Sequence, residues 1–554
     1  MKLLTYLWKY IREWKLKLFT ALLCLTFVTL SNLLYPWLLK LLVDRFSGGT
    51  LYSFNAGMFS LILITVFLLS AILGYYNYVL MQQLGLLLRN RLRSEFYSSL
   101  LYREISFYKD HRIGELSSRA TEDISKLQPL FLNLVAPVYQ NVLFITGCLI
   151  VMFLINWIAT LIVLGLIVLI VPLIFLFSKK IKIHSAASQQ KHSGANAFME
   201  ETLIGIREIK SFVLEKIKLG KYTERVTDAS TNELEASKLH SRISQSIGLV
   251  LSILIVGVFY AGTSGTFSTG WSMGSIVAFY FYAFSVTMAF VAAGRVYLNY
   301  QVMRGATHRI IELLDVRPAE TTQQPPSDQR SSSPFGKEDL PVKGKIEFKN
   351  VTFGYNTDVD VLKDLSFTAE SGSWMLITGP SGCGKSTIAN ILLGFYECKR
   401  GNLLIDDKPF SDYNIYSLRR NIGFAAQEPV LFHGSVKENI LFSENKISPE
   451  RLDKVLKISC LDKFISELPE GIDTIIGERG ITLSGGQRAR IAIARAIVFE
   501  PAVLILDEAN SMLEKELELE LWNNLAEDRM NKTTIILSHH TENIPEVYKQ
   551  LKLI

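Results

Sequence analysis

The sequence predicts two domains of opposite character: an α-helical membrane bundle of six transmembrane helices extended into the cytosol, then an α/β domain built on a parallel sheet. Three observations predict them. Six long apolar runs fall before residue 300, a polar segment rich in Pro and Ser follows at 320–341, and beyond it short apolar strands alternate with helical stretches. The expected boundaries are 1–319 for the bundle, 320–342 for the connector and 343–554 for the α/β domain.

The apolar runs lie at roughly 18–39, 58–80, 131–155, 157–178, 246–263 and 274–297. Each approaches the ~20 apolar residues that a helix needs to cross a bilayer. Hydrophobic residues make up 49% of the 554 residues, which is high for a soluble protein. A soluble fold rarely carries six such runs, so buried core helices are a poor rival reading. The third and fourth runs are joined only by Asn156 and Trp157 and form a tight helical hairpin. No small-residue cleavage site follows the amphipathic start, so a removable signal peptide is not expected.

Basic residues set the orientation. They cluster at Lys2, Lys9, Arg12, Lys15 and Lys17, again from Arg89 to Arg119, and again from Lys179. The opposite loops carry almost none beyond Lys40 and Arg45. An integral, multi-pass protein of the cell (inner) membrane is expected, with both termini and the α/β domain in the cytoplasm. The stretches 84–129 and 179–243 lack proline, apart from Pro129 at the end of the first, and keep helical apolar spacing. They read as membrane helices running on into the cytosol, turning near Ile105–Gly114 and near Glu208–Glu215. Arg295, at the end of the sixth run, should face the bundle interior, line a watery path, or snorkel to the interface.

The net charge of +6 includes no basic block beyond what membrane-flanking loops carry, so no nucleic-acid partner is expected. Cys24, Cys148, Cys383, Cys398 and Cys460 are scattered and odd in number, with neither zinc spacing nor a disulfide framework.

The chemistry sits in the second domain. Gly379-Pro380-Ser381-Gly382-Cys383-Gly384-Lys385-Ser386 fits GxxxxGK[ST] in full, follows an apolar strand and opens a helix, with Thr387 next. Its glycines let backbone N–H groups wrap a triphosphate, Lys385 can reach the terminal phosphates, and the Ser386 hydroxyl can reach magnesium. In AVLILDE, Asp507 ends an apolar strand where it can hold magnesium through water, and Glu508 can position or deprotonate an attacking water. A second glycine-rich helix start, Leu483-Ser484-Gly485-Gly486-Gln487, is useful only if an anion is brought to it.

Together these residues resemble the ATP-binding cassette (ABC) family, and the resemblance covers nearly the whole chain. In that family LSGGQ is the signature motif, and it caps the γ-phosphate of ATP held by a second cassette. The resemblance therefore implies a dimer of half-size exporters, a homodimer by preference, with a heterodimer left open. It implies that Tyr355 in FGY stacks on adenine, that Gln427 senses magnesium and water, that His539 contacts the γ-phosphate, and that GERG at Gly477–Gly480 lies against membrane helices. EISFYKDHRIGELSSRATEDISKLQ and EETLIGIREIKSFVLEK resemble the two intracellular segments whose tips are coupling helices, the second commonly reaching the partner's cassette. The catalytic set is then Glu508, His539 and Gln427, the metal set Ser386, Gln427 and Asp507, and the cofactors ATP and Mg2+. Three features depart from the family. Ser511-Met512-Leu513-Glu514 replaces Ser-Ala-Leu-Asp, His540 stands where arginine is common, and the chain ends at Ile554 without the usual final strands and helix. The implied function is ATP-driven export of a small molecule, lipid or peptide across a lipid bilayer; alternatives are an exporter-fold importer, for example of metal chelates, or an ATP-gated channel.

Overall fold

The structure is a computed structural model. It describes residues 8–46, 56–111, 113–263, 271–314, 340–356, 359–442, 447–477, 483–539, 544 and 548–553, with side chains left out chiefly at 166–180 and at scattered positions in 240–263. The polar connector lies almost wholly outside the described residues, as do most of GERG and His540. The chain divides into two compact units, Met1–Tyr97 with Ser117–Asp315, and Ser98–Leu116 with Val316–Ile554.

The first unit is helical. Its long helices are α1 (Lys15–Phe46) and α2 (Ala56–Leu101), the latter running on into the second unit. The second unit claims α3 (Ile105–Asp110). The first unit continues with α4 (Ala136–Ile155), α5 (Trp157–Ile204), the short α6 (Ile206–Ser211), α7 (Glu215–Thr263) and α8 (Met273–Leu314). Each of the six expected spans falls on one of the long helices. Four helical segments meet a length and hydropathy criterion for crossing a membrane among the described residues. At 1.5 Å per residue, the 48 residues of α5 and 49 of α7 exceed the ~30 Å hydrocarbon thickness about twofold. Helices running on past the bilayer are what the charged, proline-poor stretches predict. The turns are the short helices α3 and α6, the second beginning two residues before the expected Glu208.

Local chemistry explains the breaks. Asn156 leaves helical geometry (φ −161°, ψ 113°), and its side chain accepts from Ala159 N at 2.9 Å, capping α5. The hairpin joint is thus a single residue, and Trp157 already belongs to α5. Between α3 and α4, π-helical turns at Arg119–Asp123 and Phe131–Val135 interrupt the ladder. Gly85 of α2 lies so close to this segment that a Cβ there would sit 2.1 Å from Gln128 O. The bundle core gathers Cys148, Met152, Val163, Phe279, Tyr282 and Val286. Two hydrogen bonds tie α8 to α1 beside it: Tyr282 donates to Leu33 O at 2.6 Å, and Gly274 N donates to Asp44 Oδ1 at 2.8 Å. Arg295 is exposed on α8.

Among its described residues the second unit holds two larger sheets and a two-stranded pair. One is antiparallel, in the order β2–β1–β4–β5, from β1 (Ile346–Phe353), β2 (Leu362–Ala369), β4 (Arg400–Ile405) and β5 (Lys408–Pro409). The other is parallel at the described pairs, in the order β11–β3–β10–β9–β6. Its strands are β3 (Trp374–Thr378), β6 (Ile422–Ala425), β9 (Val503–Asp507), β10 (Thr533–Ser538) and β11 (Tyr548–Lys552). Between them in sequence, Gly434–Ser435 (β7) pairs with Ile475–Ile476 (β8). Every residue of β3, β9 and β10 is buried, so both faces of the parallel sheet are covered. Two apolar cores do this, one around Trp374, Leu504 and Trp522, the other around Met375, Ile388 and Ile505. The expectation that the usual final strands and helix are missing after His539 is corrected in one respect, since one strand follows. β11 runs parallel to β3, and Leu553 N donates to Thr378 O at 2.7 Å. YKQLK carries too much charge to read as an apolar strand, and it is held by backbone pairing at a sheet edge.

Beyond the apolar spans of the first unit, the buried Asp123 takes a bidentate pair from Arg309 (2.7 Å each) and a third bond from Lys126 (2.8 Å). The Arg309 guanidinium holds its carboxyl down at about 2. The folded value lies below the unfolded one, so the stabilisation is present above about pH 4 and lost as pH falls toward the folded value. Asp123→Asn should cost about 1–3 kcal/mol at neutral pH and flatten the acid limb of the stability profile. Thermal unfolding in detergent at several pH values checks both.

Candidate nucleotide-binding site

Three strands bring the site together. β10 lies between β3 and β9, with Ser538 opposite Thr378 and Leu537 opposite Asp507. Their C-terminal ends therefore open side by side. The turn after β3 is Gly379–Gly384, β9 ends in Asp507 and Glu508, and β10 is followed by His539. Sites at the carboxyl ends of parallel strands follow from this topology.

The turn after β3 leads into α9 (Lys385–Leu392). Gly382 (φ 82°) and Gly384 (φ 102°) hold left-handed conformations that a side chain would strain. Gly379 is needed for another reason: a Cβ there would sit 2.7 Å from Cys383 Sγ and 2.9 Å from Leu553 O. The loop therefore curls back on itself against the end of β11. Lys385 is buried, 5% exposed, and its Nζ donates to Gly379 O (2.9 Å) and Pro380 O (3.2 Å) inside that curl.

Around this ammonium the predicted polar groups converge. Glu508 Oε1 lies 3.7 Å from Lys385 Nζ and 2.7 Å from His539 Nε2. His539 Nε2 is 3.1 Å from Lys385 Nζ and 3.2 Å from Ser381 Oγ. Gln427 Nε2 donates to Glu508 Oε2 at 2.7 Å. Glu508 takes φ 48°, unusual for a residue with a Cβ, and its N–H bonds Leu537 O at 2.9 Å, which turns the side chain off the strand end. Asp507 is buried. The Ser386 hydroxyl bonds its carboxylate, while its Oδ1 has no partner. Burial pushes its carboxyl up, the Ser386 bond pulls it down, and Glu508 adds a further upward push. A buried carboxylate oxygen without a partner, beside a serine hydroxyl, fits a divalent cation. Among the described residues no group of three or more His, Cys, Asp and Glu forms a metal cage. A cation here would therefore lean on ligand oxygens, as Mg2+ does beside phosphates.

Tyr355 stands at the edge of the site. Its hydroxyl is 3.1 Å from Thr387 Oγ1 and accepts from Asn390 Nδ2 at 3.1 Å. Its ring packs edge-on with Phe353 and Tyr396. The other glycine turn opens α10 (Gly485–Ile497). Ser484 and Gln487 form a capping box: Gln487 N donates to Ser484 Oγ (3.2 Å) and Ser484 N donates to Gln487 Oε1 (2.8 Å). Arg488 ties Leu483 O at 2.9 Å. Met512 packs on the turn so closely that a Cβ on Gly485 would sit 2.4 Å from its sulfur. Among the described residues, no hydrogen bond or ion pair joins Leu483–Gln487 to Lys385, Glu508 or His539. This helix start is built and rigid, yet it takes no part in the cluster.

Known proteins resemble this chain along most of its length. The family model described as "ABC transporter transmembrane region" matches residues 18–290, and the one described as "ABC transporter" matches 362–511. This chain belongs to the ABC transporters. It is 29% identical to an export ATP-binding/permease protein of Rickettsia felis, covering 98% of this chain and 93% of that one. It is also 29% identical to ABC transporter B family member 1 of Dictyostelium discoideum, but spans only 56% of that longer relative. It spans 28% of the Dictyostelium serine protease/ABC transporter B family protein tagA. In fold it resembles a solved bacterial Atm1-family ABC exporter with ATP bound, with TM-score 0.80, 24% identity, and coverage of 98% of this chain and 93% of that one. The transporter is thus an integral membrane protein of the exporter type with an ATP-binding domain.

In this ABC transporter the motif reading brings Ser381, Lys385, Gln427, Glu508 and His539 into one cluster, with Ser386 and Asp507 beside it. It missed Thr387 and Asn390 as partners of the Tyr355 hydroxyl, although both lie on the helix that GxxxxGK[ST] announces. It missed Met512 against the signature turn, where the departure from Ser-Ala-Leu-Asp was the available signal. Asp507 gives a test. Because its folded value is raised, its ionised form opposes folding once pH exceeds about 4, and the deficit grows as pH rises toward the folded value. Asp507→Asn should therefore raise the melting temperature of the nucleotide-free transporter at neutral pH, with no gain below about pH 4, while ATPase activity falls about a hundredfold or more. Thermal shift across pH and phosphate release measure the two.

Proposed function

We propose that this chain is a half-size exporter that works as a dimer and couples ATP hydrolysis to alternating access. The observation that carries the reading is the pair of phosphate-type sites: the Lys385 cluster and the separate, capped start of α10. An anion-binding helix start without an anion of its own is explained if a second copy presents a phosphate to it. In this reading 1–319 is the membrane domain, 320–342 the linker and 343–554 the cassette, with both termini cytoplasmic as the basic loops argue.

The roles follow from the geometry. Backbone N–H groups of Gly382–Ser386 and the Lys385 ammonium hold the phosphates, and Lys385 exchanges its carbonyl partners Gly379 and Pro380 for phosphate oxygens. Ser386, Asp507 and Gln427 would hold Mg2+, which when bound would neutralise charge on the phosphate oxygens. Glu508 accepts a proton from the attacking water, and Gln427, bonded to Glu508 Oε2, orients that carboxylate. His539 bridges Glu508 and Ser381 and steadies the γ-phosphate end. Tyr355 stacks on adenine. In a second copy Ser484, Gly485, Gly486 and Gln487 complete the site, with Leu483 anchoring the turn.

Two exposed apolar surfaces support the dimer. Ile204, Phe212 and Val213 stand exposed around α6, and Val430, Phe432 and Phe442 form an exposed patch on the cassette, with Arg495 stacked over Phe442 at 4.0 Å. The tip of one copy seated on the patch of another would cover both. Reversing a 1:99 balance of inward and outward states takes about 5.5 kcal/mol of differential binding, and two sites completed only on closure can provide it. Glu508→Gln should cut ATP turnover about a hundredfold or more, keep ATP affinity, and raise the ATP-bound dimer population. Phosphate release, nucleotide binding and light scattering read these; wild-type turnover in the variant would remove Glu508 from the mechanism.

A further inference from the structure

Residues 98–116 belong to the same compact unit as the cassette, and α3 lies within that unit. This short helix is stiff. The Arg103 guanidinium lies over the Phe107 ring (5.0 Å), Phe107 stacks on His111 (4.2 Å between centroids, 17° between planes), and the Tyr108 hydroxyl donates to Leu100 O. From this frame the exposed Lys109 places its ammonium 5.1 Å from the centroid of the Tyr355 ring.

Tyr355 does not need Lys109 to hold it. Its hydroxyl is fixed by Thr387 and Asn390, and its ring is held edge-on by Phe353 and Tyr396. Its loop is tied by Lys399, which donates to Asn356 O (2.7 Å) and Asp360 Oδ1 (2.8 Å). What Lys109 does is occupy π surface on a ring that is otherwise only partly covered. An aromatic face takes one partner at a time, a cation or a stacked base.

We propose that Lys109 and the adenine base compete for Tyr355, so that α3 reads whether the base, rather than the phosphates, is in place. This rests on Tyr355 being the adenine platform. An exposed cation–π contact is worth about 0.5–1 kcal/mol, equivalent to roughly two- to fivefold in affinity. α3 follows α2 after only three residues, Tyr102–Glu104, so it moves with the cytoplasmic end of a membrane helix. Linkage is reciprocal. A base on Tyr355 releases Lys109, and any shift of α2 that withdraws Lys109 strengthens base binding. Lys109 is therefore a positioning residue that makes nucleotide affinity depend on the state of the bundle.

The test uses the full-length chain in nanodiscs, with MgATP and magnesium tripolyphosphate as probes. Lys109→Met keeps the apolar stem and removes the charge; Lys109→Arg keeps the charge. Expected are MgATP binding about two- to fivefold tighter in the Met variant, tripolyphosphate binding unchanged, and wild-type values for Arg. Unchanged or weaker MgATP binding in the Met variant, or an equal shift for tripolyphosphate, overturns the proposal. Tyr355→Leu separates the two levels: if it leaves MgATP affinity intact, the adenine platform itself is wrong, whatever Lys109 does.

Discussion

A lysine ammonium buried at the mouth of a parallel sheet constrains everything around it. Desolvating a cation costs several kcal/mol unless partners replace water. Lys385 meets this with two loop carbonyls, the Glu508 carboxylate and the His539 ring. The carbonyls require the loop to curl inward, which sets Gly379, Gly382 and Gly384. The carboxylate and imidazole require β9 and β10 to end beside β3, which sets the strand order. A triphosphate offers a stronger partner for the same ammonium, so binding replaces internal bonds instead of creating a charge site anew.

The membrane half obeys the opposite economy. Its helices satisfy their own backbones, its buried threonines bond carbonyls one turn back in their own helices, and a few polar side chains reach backbone atoms of neighbouring helices. Asn77 Nδ2 donates to Ala21 O at 2.7 Å, and Tyr282 and Asp44 behave alike. Sequence-distant helices are thus joined by a few such bonds, two of them between α1 and α8.

Much of this was legible because the signals are local. GxxxxGK[ST] announces its own loop, positive-φ glycines and helix. VLILD announces a buried strand with a carboxylate at its end. LSGGQ carries its capping box within four residues. What stayed hidden depends on contacts far apart in sequence. Nothing in TTIILS says that β10 lies between β3 and β9, and the charged YKQLK gives no apolar pattern for β11. The π-helical turns near Asp123 leave no mark in a 3.6-residue periodicity. Lys109 reads as one more cytosolic lysine until α3 is seen to group with the cassette. The placement of 98–116 in the second unit likewise follows from packing, since its composition matches the helices on either side.

The central claim is that the start of α10 in one copy closes on the nucleotide gripped by another. It can be measured by introducing Ser381→Cys and Ser484→Cys together in an otherwise cysteine-free, full-length chain and oxidising it with and without MgATP. The account predicts a disulfide between two chains that forms with nucleotide and is scarce without it. A disulfide within single chains, or an interchain yield indifferent to nucleotide, would contradict it.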